Sequence, residues 1–223
     1  MKKLLAIVVA AAMLVSMTAL FASCGSSDTT SSSSDTSSAA AADDAKDAEA
    51  DAADAEDAGF TELPIFEDEE LGFMNVSAVY FQPVPLSADS SGKEQKAEDY
   101  DIHLEADIAA LENKLGYELG SWVPYLTVDY KVTDPAKDDT VLAEGTFMEM
   151  AASDGPHYGS NIKLPDAGTY DLTITIHSPA ENDYLIHTDD LTGPGGTLDE
   201  YFKDGPLSVT KSWDYAGPVT VDA

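Results

Sequence analysis

Apolar and polar residues alternate along most of the chain after Phe73, in short runs that predict β-strands. Aromatic and β-branched residues are frequent in these runs, and turn-forming sequences such as "TDPAKDD", "PDAG" and "GPGG" separate them. Several short strands joined by turns are typical of an all-β, antiparallel β-sandwich, which is the fold class we expect. The segment "ADIAALENKLG" has helical spacing instead, with Ile108, Leu111 and Leu115 on one side, and predicts a single helical turn between strands.

The first part of the chain has a different composition and predicts an export signal followed by a tether. Residues 1–23 join Lys2 and Lys3 to a long apolar run, which indicates a lipoprotein signal peptide. The sequence "LFASC" fits a lipobox, so we expect lipidation of Cys24; the alternatives are an ordinary signal peptide with a stray thiol and an uncleaved membrane anchor. Residues 24–58, rich in Ser, Ala and Asp, predict a disordered acidic tether, and residues 59–223 predict one domain.

Charge and motifs narrow the range of functions. The formal net charge is −31, with lysines but no arginine, so we expect the protein to attract cations and not to bind nucleic acid. The sequence contains neither a phosphate-binding loop nor a serine in a nucleophile-elbow pattern. After lipidation of Cys24, its only cysteine, no thiolate would be left, so any metal in the domain would need other ligands.

The first candidate ligands lie in "DIHLEAD", residues 101–107. Alternate residues of a β-strand face the same way, so His103, Glu105 and Asp107 share one face and the apolar residues between them face the core. One strand would then present an imidazole and a carboxylate side by side, which is a ready pair of ligands for a divalent ion. The alternative is a solvated polar face on a half-buried sheet.

The second group lies in "FMEMAASDGPHYG", residues 147–159. Met148 and Met150 share one face of a predicted strand, with Phe147 on the other. A tight turn that contains Asp154 could return His157 to the neighbourhood of Met150. The alternative is core packing by the methionines, followed by an ordinary surface loop.

The other two histidines differ in their surroundings. His187, in "YLIHTDD", is a candidate ligand whose alternative is a polar loop, whereas His177, near a strand end, is expected to be structural. Imidazole suits Cu(II), Zn, Ni and Fe(II), and a thioether adds affinity for Cu(I), so a site with both types could hold copper in either oxidation state. Binding is expected to weaken below about pH 6, because ligand imidazoles must be neutral and their ordinary pKa is about 6.5.

From about Gly59 to about Tyr215 the chain resembles the periplasmic iron-transport lipoproteins that accompany Ftr-type iron permeases, a family that includes a pathogen-specific membrane antigen. The resemblance is carried by "VSAVYFQPV", "DIHLEADIAAL", "WVPYLTVDYKV", "FMEMAASDGPHYGSNIKL" and "IHTD". It implies an immunoglobulin-like β-sandwich, usually a homodimer, that binds copper. Asp154 matches a residue beside the metal ligands or at a neighbouring site. The family's metal ligands themselves fall on His103, Glu105, Met150, His157 and His187.

The resemblance favours a copper-binding lipoprotein, not an enzyme, that supports high-affinity ferrous iron uptake with an Ftr-type permease. It would be extracytoplasmic and lipid-anchored to the cell membrane, at the cell surface or in the periplasm. A part in iron redox chemistry is left open, as are iron, zinc or manganese at the same or a neighbouring site. The alternatives are a surface lipoprotein that binds a host or envelope protein and holds a structural metal, and a copper-homeostasis chaperone. Ile186 stands where the family often has arginine, a departure that concerns loop geometry and partner contacts.

Overall fold

The computed structural model describes residues 61–219, and within them nine strands form two antiparallel sheets. The strands are β1 (Leu63–Leu71), β2 (Met74–Phe81), β3 (Ile102–Ala110), β4 (Thr127–Asp134), β5 (Thr140–Thr146), β6 (Met148–Ala151), β7 (Pro156–Ile162), β8 (Gly168–His177) and β9 (Leu207–Tyr215). A short helix, α1 (Asp199–Phe202), precedes β9, and 3-10 helices span Ala97–Asp99, Pro135–Lys137 and Pro179–Asn182. The prediction of an all-β, immunoglobulin-like antiparallel sandwich is confirmed.

The two sheets bury their apolar faces against each other. The first has the order β1-β2-β3-β7-β6 and the second the order β5-β4-β8-β9. Strand β3 alternates as predicted, with Ile102, Leu104 and Ala106 fully buried on its core side. Aromatic rings join the sheets: Tyr80 of β2 lies 4.9 Å from Trp213 of β9, measured between ring centroids. The core therefore fixes the position of β3, whose opposite face carries His103 and Glu105.

The chain passes from the second sheet to the first at Phe147, between β5 and β6. The main-chain N–H of Phe147 donates to the Val128 carbonyl at 2.8 Å, and its buried ring stacks on Tyr130 with centroids 4.8 Å apart. Because Phe147 points into the core, the alternation of a strand directs Met148 and Met150 to the opposite side. The two methionines thus share the face opposite Phe147, as the sequence pattern predicts, and this is the outer face of the first sheet.

The connection between β2 and β3, residues 82–101, folds over part of that outer face; we call it the strap. The main-chain N–H of Leu86 donates to the Gln95 carbonyl at 3.0 Å, which makes the strap a loose hairpin. It leaves His103 only 1% exposed and Glu105 only 3% exposed, although both face away from the core, while Asp107 further along β3 is exposed. A solvated polar face, the alternative for this strand, is therefore wrong at His103 and Glu105.

The predicted helical turn within residues 106–116 is wrong. Strand β3 continues through Ala110, and an irregular loop follows it. The side chain of Asn113 satisfies the main chain of this loop: its amide nitrogen donates to the carbonyls of Leu111 and Tyr117, and its oxygen accepts from the N–H of Leu115. The apolar residues that fit a helical spacing lie instead at the end of a strand and in the loop after it, where Ile108 and Leu115 are buried.

The predictions for the start of the chain lie outside the described residues. These are the signal peptide of residues 1–23, the lipidation of Cys24 and the tether of residues 24–58, so they stay predictions, as does the domain boundary at residue 59. Within residues 61–219, no helix has the length and apolar character needed to cross a membrane.

Candidate metal centre

Three side chains of the kind that bind metals converge on the outer face of the first sheet, beneath the strap. They are His103 and Glu105 of β3 and His157 of β7, and one ligand atom from each lies within 4.8 Å of the others. The His157 Nδ1 atom is 3.1 Å from Glu105 Oε1, and the His103 Nε2 atom is 3.9 Å from Glu105 Oε2. All three residues are buried.

The strand register explains why these residues meet. In the antiparallel pair β3–β7, His103 lies opposite Asn161 and Glu105 lies opposite Gly159. Paired residues share a face of the sheet, and so do residues two apart along a strand. His157 therefore projects on the same side as His103 and Glu105. Phe81 of β2, the register partner of His103 on its other side, covers the imidazole with ring centroids 5.0 Å apart.

Burial puts both imidazoles in the neutral form. The pKa of His103 is lowered to about 4, mainly by burial and also by the nearby His157, while the hydrogen bond to Asn161 opposes the shift. Burial also lowers the pKa of His157, against the opposing charge of Asp154. Neutral imidazoles offer the lone pair that a metal ion needs.

Glu105 is driven the other way, towards its protonated form. Its pKa is raised to about 9, mainly by burial and in addition by the charges of Asp107, Glu62 and Asp154. A carboxyl group with this pKa is neutral at pH 7 when no metal is bound, and its Oε1 atom lies 3.1 Å from the Nδ1 atom of His157. A bound cation would supply the positive charge that makes the carboxylate form favourable.

Two observations show that the cluster fits a metal ion. The Nε2 atom of His103 is buried and has no hydrogen-bond partner among the described residues, a costly arrangement for a structural histidine. The space beside that atom exists because residue 159 is glycine: a Cβ there would lie 2.7 Å from His103 Nε2. Two imidazoles and a carboxylate are ligands that divalent transition metals accept.

Thioethers border the same site. Strand β6 pairs with β7 so that Met150 lies opposite His157 and Met148 lies opposite Gly159. Both methionines line a cavity of about 640 Å³ together with the His103–Glu105–His157 cluster. The Met148 sulfur accepts a hydrogen bond of 3.6 Å from the Gln95 side chain of the strap. The two methionines thus border the cavity and are not part of the buried core, as a ligand role for Met150 requires, and that role stays a prediction.

The structure brings together most of the predicted ligands, but not all of them. His103, Glu105, Met150 and His157 line one cavity, and Asp154 lines its edge from the β6–β7 turn. His187 does not line it: it is exposed in a loop before α1, where its Nδ1 atom is 2.8 Å from the Thr192 hydroxyl. Within a single chain, His187 is therefore separate from the other predicted ligands, and its role stays a prediction.

His177, expected to be structural, lies at the end of β8 in the second sheet. Its Nε2 atom is 3.1 Å from Asp129 and its Nδ1 atom is 3.6 Å from Glu181. Both ring nitrogens thus face carboxylates, and neither faces the cavity of the first sheet. This placement agrees with a structural role.

The sequence reasoning missed two residues of the site, Gly159 and Asn161. Gly159 leaves room beside His103 Nε2, and the Asn161 side-chain oxygen lies 3.0 Å from His103 Nδ1. A signal was present, because the alternation that places His157 on the outer face also places residues 159 and 161 there. The register against β3, which brings them to His103 and Glu105, could not be read from the sequence.

The fold and the site together define a class: a β-sandwich protein with a buried cluster of two imidazoles and a carboxyl group on the outer face of one sheet, in a cavity that two methionines also line. The family model described as "Fe2+ transport protein" matches residues 59–217. The chain belongs to this family, as the resemblance predicted.

Relatives and solved structures agree with this membership. A UPF0423 protein of Brucella abortus is 41% identical over 160 residues, which cover 70% of this chain and 82% of that protein. The 34 kDa membrane antigen of Treponema pallidum is 37% identical over 171 residues, covering 75% of this chain and 81% of the antigen. A copper-bound variant of FetP from uropathogenic Escherichia coli strain F11 is 39% identical with a TM-score of 0.61, covering 71% of this chain and 99% of FetP. Copper-reconstituted P19 from Campylobacter jejuni is 36% identical with a TM-score of 0.62, covering 71% of this chain and 99% of P19.

Proposed function

We propose that this protein is a copper-binding protein that supports ferrous iron uptake. The observation that carries the proposal is the buried His103–Glu105–His157 cluster, in which one imidazole nitrogen has no hydrogen-bond partner among residues 61–219 and faces a cavity that two methionines also line. Membership of the Fe2+ transport protein family supports the iron part, and the copper-bound FetP and P19 structures support the copper part.

Copper would be held by His103 through Nε2, by His157, by the carboxylate of Glu105 and by the thioether of Met150. When bound, it would supply one-electron redox chemistry next to the iron that the system carries. Imidazole and carboxylate suit Cu(II), whereas the thioether favours Cu(I), so this set of donors accepts both states. Iron, zinc and manganese would share the nitrogen and oxygen donors but gain little from the sulfur.

The protein acts, in this proposal, outside the cytoplasm, lipid-anchored to the membrane through Cys24, with an Ftr-type permease as its partner. A relative is named a membrane antigen, and FetP was produced in the periplasm, which supports an extracytoplasmic location. The formal net charge of −31 favours the approach of ferrous ions. The role is binding and delivery, and we propose no enzymatic turnover for this chain.

A homodimer is part of the proposal because of His187. This predicted ligand is exposed and lies away from the cavity within one chain. If His187 is a metal ligand, it would bind the metal of a second copy of the chain.

The test mixes two variants, His103→Ala and His187→Ala. If the ligand crosses between copies, mixed dimers regain one complete site, whereas each variant alone has none. Equal copper binding in His187→Ala and the unmodified protein would remove His187 from the ligand set.

The experiment that tests the function measures accumulation of radioactive iron at low external iron in a deletion strain that expresses the permease. We expect reduced uptake, restored by the unmodified gene and by His177→Ala but not by exported, folded His103→Ala. His177→Ala is the matched control, since it removes a histidine from the other sheet. Uptake equal to that of the parent would refute the proposal. Altered copper tolerance with normal iron uptake would identify a copper chaperone. If iron uptake and copper tolerance were both unchanged, a lipoprotein that binds another protein would be favoured.

A further inference from the structure

Asn161 makes three hydrogen bonds that connect the strap to a candidate metal ligand. It lies on β7 opposite His103 and is 4% exposed. Its side-chain nitrogen is 2.7 Å from the Val84 carbonyl oxygen, and its side-chain oxygen is 3.2 Å from the Val84 main-chain nitrogen. The same oxygen is 3.0 Å from the Nδ1 atom of His103. One buried amide therefore contacts both the strap and the imidazole.

The contacts with Val84 fix the orientation of the amide. A main-chain N–H can only donate a hydrogen bond and a main-chain carbonyl can only accept one. The atom of Asn161 that faces the Val84 N–H must therefore be the oxygen, and the atom that faces the Val84 carbonyl must be the nitrogen. A flipped amide would place two donors together and two acceptors together.

The orientation of the amide in turn fixes the tautomer of His103. The Asn161 oxygen can only accept, so the Nδ1 atom of His103 must carry the hydrogen. In a neutral imidazole the lone pair is then on Nε2. This is the atom that is buried without a hydrogen-bond partner among residues 61–219, beside the space left by Gly159.

We propose that Asn161 is a positioning residue of the metal centre, which holds His103 in the Nδ1–H tautomer with Nε2 directed at the metal and anchors the strap at Val84. The ligand role of His103 rests on the proposed function, but the tautomer follows from the hydrogen bonds alone. Because the same amide binds both Val84 and His103, displacement of the strap at Val84 would also release the His103 imidazole. Partners that hold a ligand imidazole in this way are a general feature of metal sites.

The first test measures the tautomer in the metal-free protein. Nitrogen-15 chemical shifts of labelled histidine distinguish a protonated from an unprotonated ring nitrogen, and the His103 signals are identified by their loss in His103→Ala. We expect a single tautomer with hydrogen on Nδ1. Hydrogen on Nε2, or an exchanging mixture of tautomers, would overturn the proposal. This test needs no metal, so it stands even if the protein binds no copper and the proposed function fails.

The second test compares Asn161→Ala with Asn113→Ala. Asn113 is the matched control, because its side chain also makes three hydrogen bonds, all of them to the main chain of the loop after β3. Asn161→Ala should mix the His103 tautomers, speed hydrogen exchange at the Val84 amide and weaken copper and zinc binding by about 10–100-fold. Asn113→Ala should lower stability and leave all three readings unchanged. An Asn161→Ala protein with the parent's tautomer and affinities would overturn the proposal, and if this variant does not fold, the tautomer of the unmodified protein still decides.

Discussion

Replacing Glu105 with glutamine should remove a specific dependence of stability on pH. The ordinary pKa of the carboxyl group is 4.5, and burial raises it to about 9 in the folded chain. Between these values the folded protein holds a proton that the unfolded protein has lost. The unfolded state then binds fewer protons, so the free energy of unfolding falls as pH rises, by about 1.4 kcal/mol per pH unit.

The histidines act with the opposite sign but at lower pH. The pKa of His103 is lowered to about 4 and that of His157 is also lowered, so unfolding takes up protons only below their ordinary value of 6.5. From pH 6.5 to 9, Glu105 is therefore the group of this cluster that sets the slope. Over that window the metal-free protein should lose about 3 kcal/mol. For a domain of this size the loss corresponds to roughly 6–12 °C in Tm.

The assay is urea unfolding of the chelator-treated protein at several pH values from 6.5 to 9, followed by tryptophan fluorescence. Glu105→Gln keeps the shape of the side chain without a titratable proton, so its stability should stay level across the window. Glu144→Gln, which removes an exposed carboxylate from β5, should follow the unmodified protein. A level profile for the unmodified protein, or the same fall in Glu105→Gln, would refute the assignment of a buried, protonated Glu105.

Three further substitutions test the site. Gly159→Ala should weaken copper binding at least tenfold, as measured by competition titration, since its Cβ would lie 2.7 Å from His103 Nε2 and the imidazole would have to move; unchanged affinity would show that the ring can shift freely. Met150→Leu should lower the free energy of unfolding in urea by less than about 1.5 kcal/mol and selectively weaken Cu(I) binding, with Met148→Leu as the control. Equal Cu(I) affinity in Met150→Leu and the parent would show that Met150 only packs. His187→Ala should weaken copper binding in the oligomer without lowering the free energy of unfolding of one chain, since His187 is exposed; loss of folding would contradict its place on the surface.

The alternation of apolar and polar residues along the strands was the basis of most correct predictions of the core and of the candidate site. The period of two placed Ile102 and Leu104 in the core and put His103 and Glu105 together on the other face, and both placements are confirmed. It also separated Phe147 from the methionines that follow it. The helical turn within residues 106–116 failed for a physical reason: apolar residues three and four apart also occur where a strand ends and a loop sends anchors into the core.

Burial of the polar face could not be predicted. The strap has no regular strand pattern, and its contacts with the sheet include those of Asn161 with Val84, which is 77 residues away in the sequence. The expectation that copper binding weakens below about pH 6 assumed that the histidines have the ordinary pKa of imidazole. Because burial lowers the pKa of His103 to about 4, its imidazole stays neutral well below that pH. At neutral pH we expect protons to compete with a metal ion mainly at Glu105, whose pKa is about 9, and the pH dependence of copper binding stays a prediction.

The strands divide the site into a fixed part and an adaptable part. His103, Glu105 and His157 project from β3 and β7, each of which is hydrogen-bonded to a strand on both sides. The methionines project from β6, which is four residues long and lies at the edge of the sheet, and their unbranched side chains adapt readily. Cu(II) favours the nitrogen and oxygen donors and Cu(I) gains from sulfur. If copper is bound as we propose, movement of a thioether on the edge strand would meet a change of its oxidation state, while the imidazoles stay where the core and Asn161 hold them.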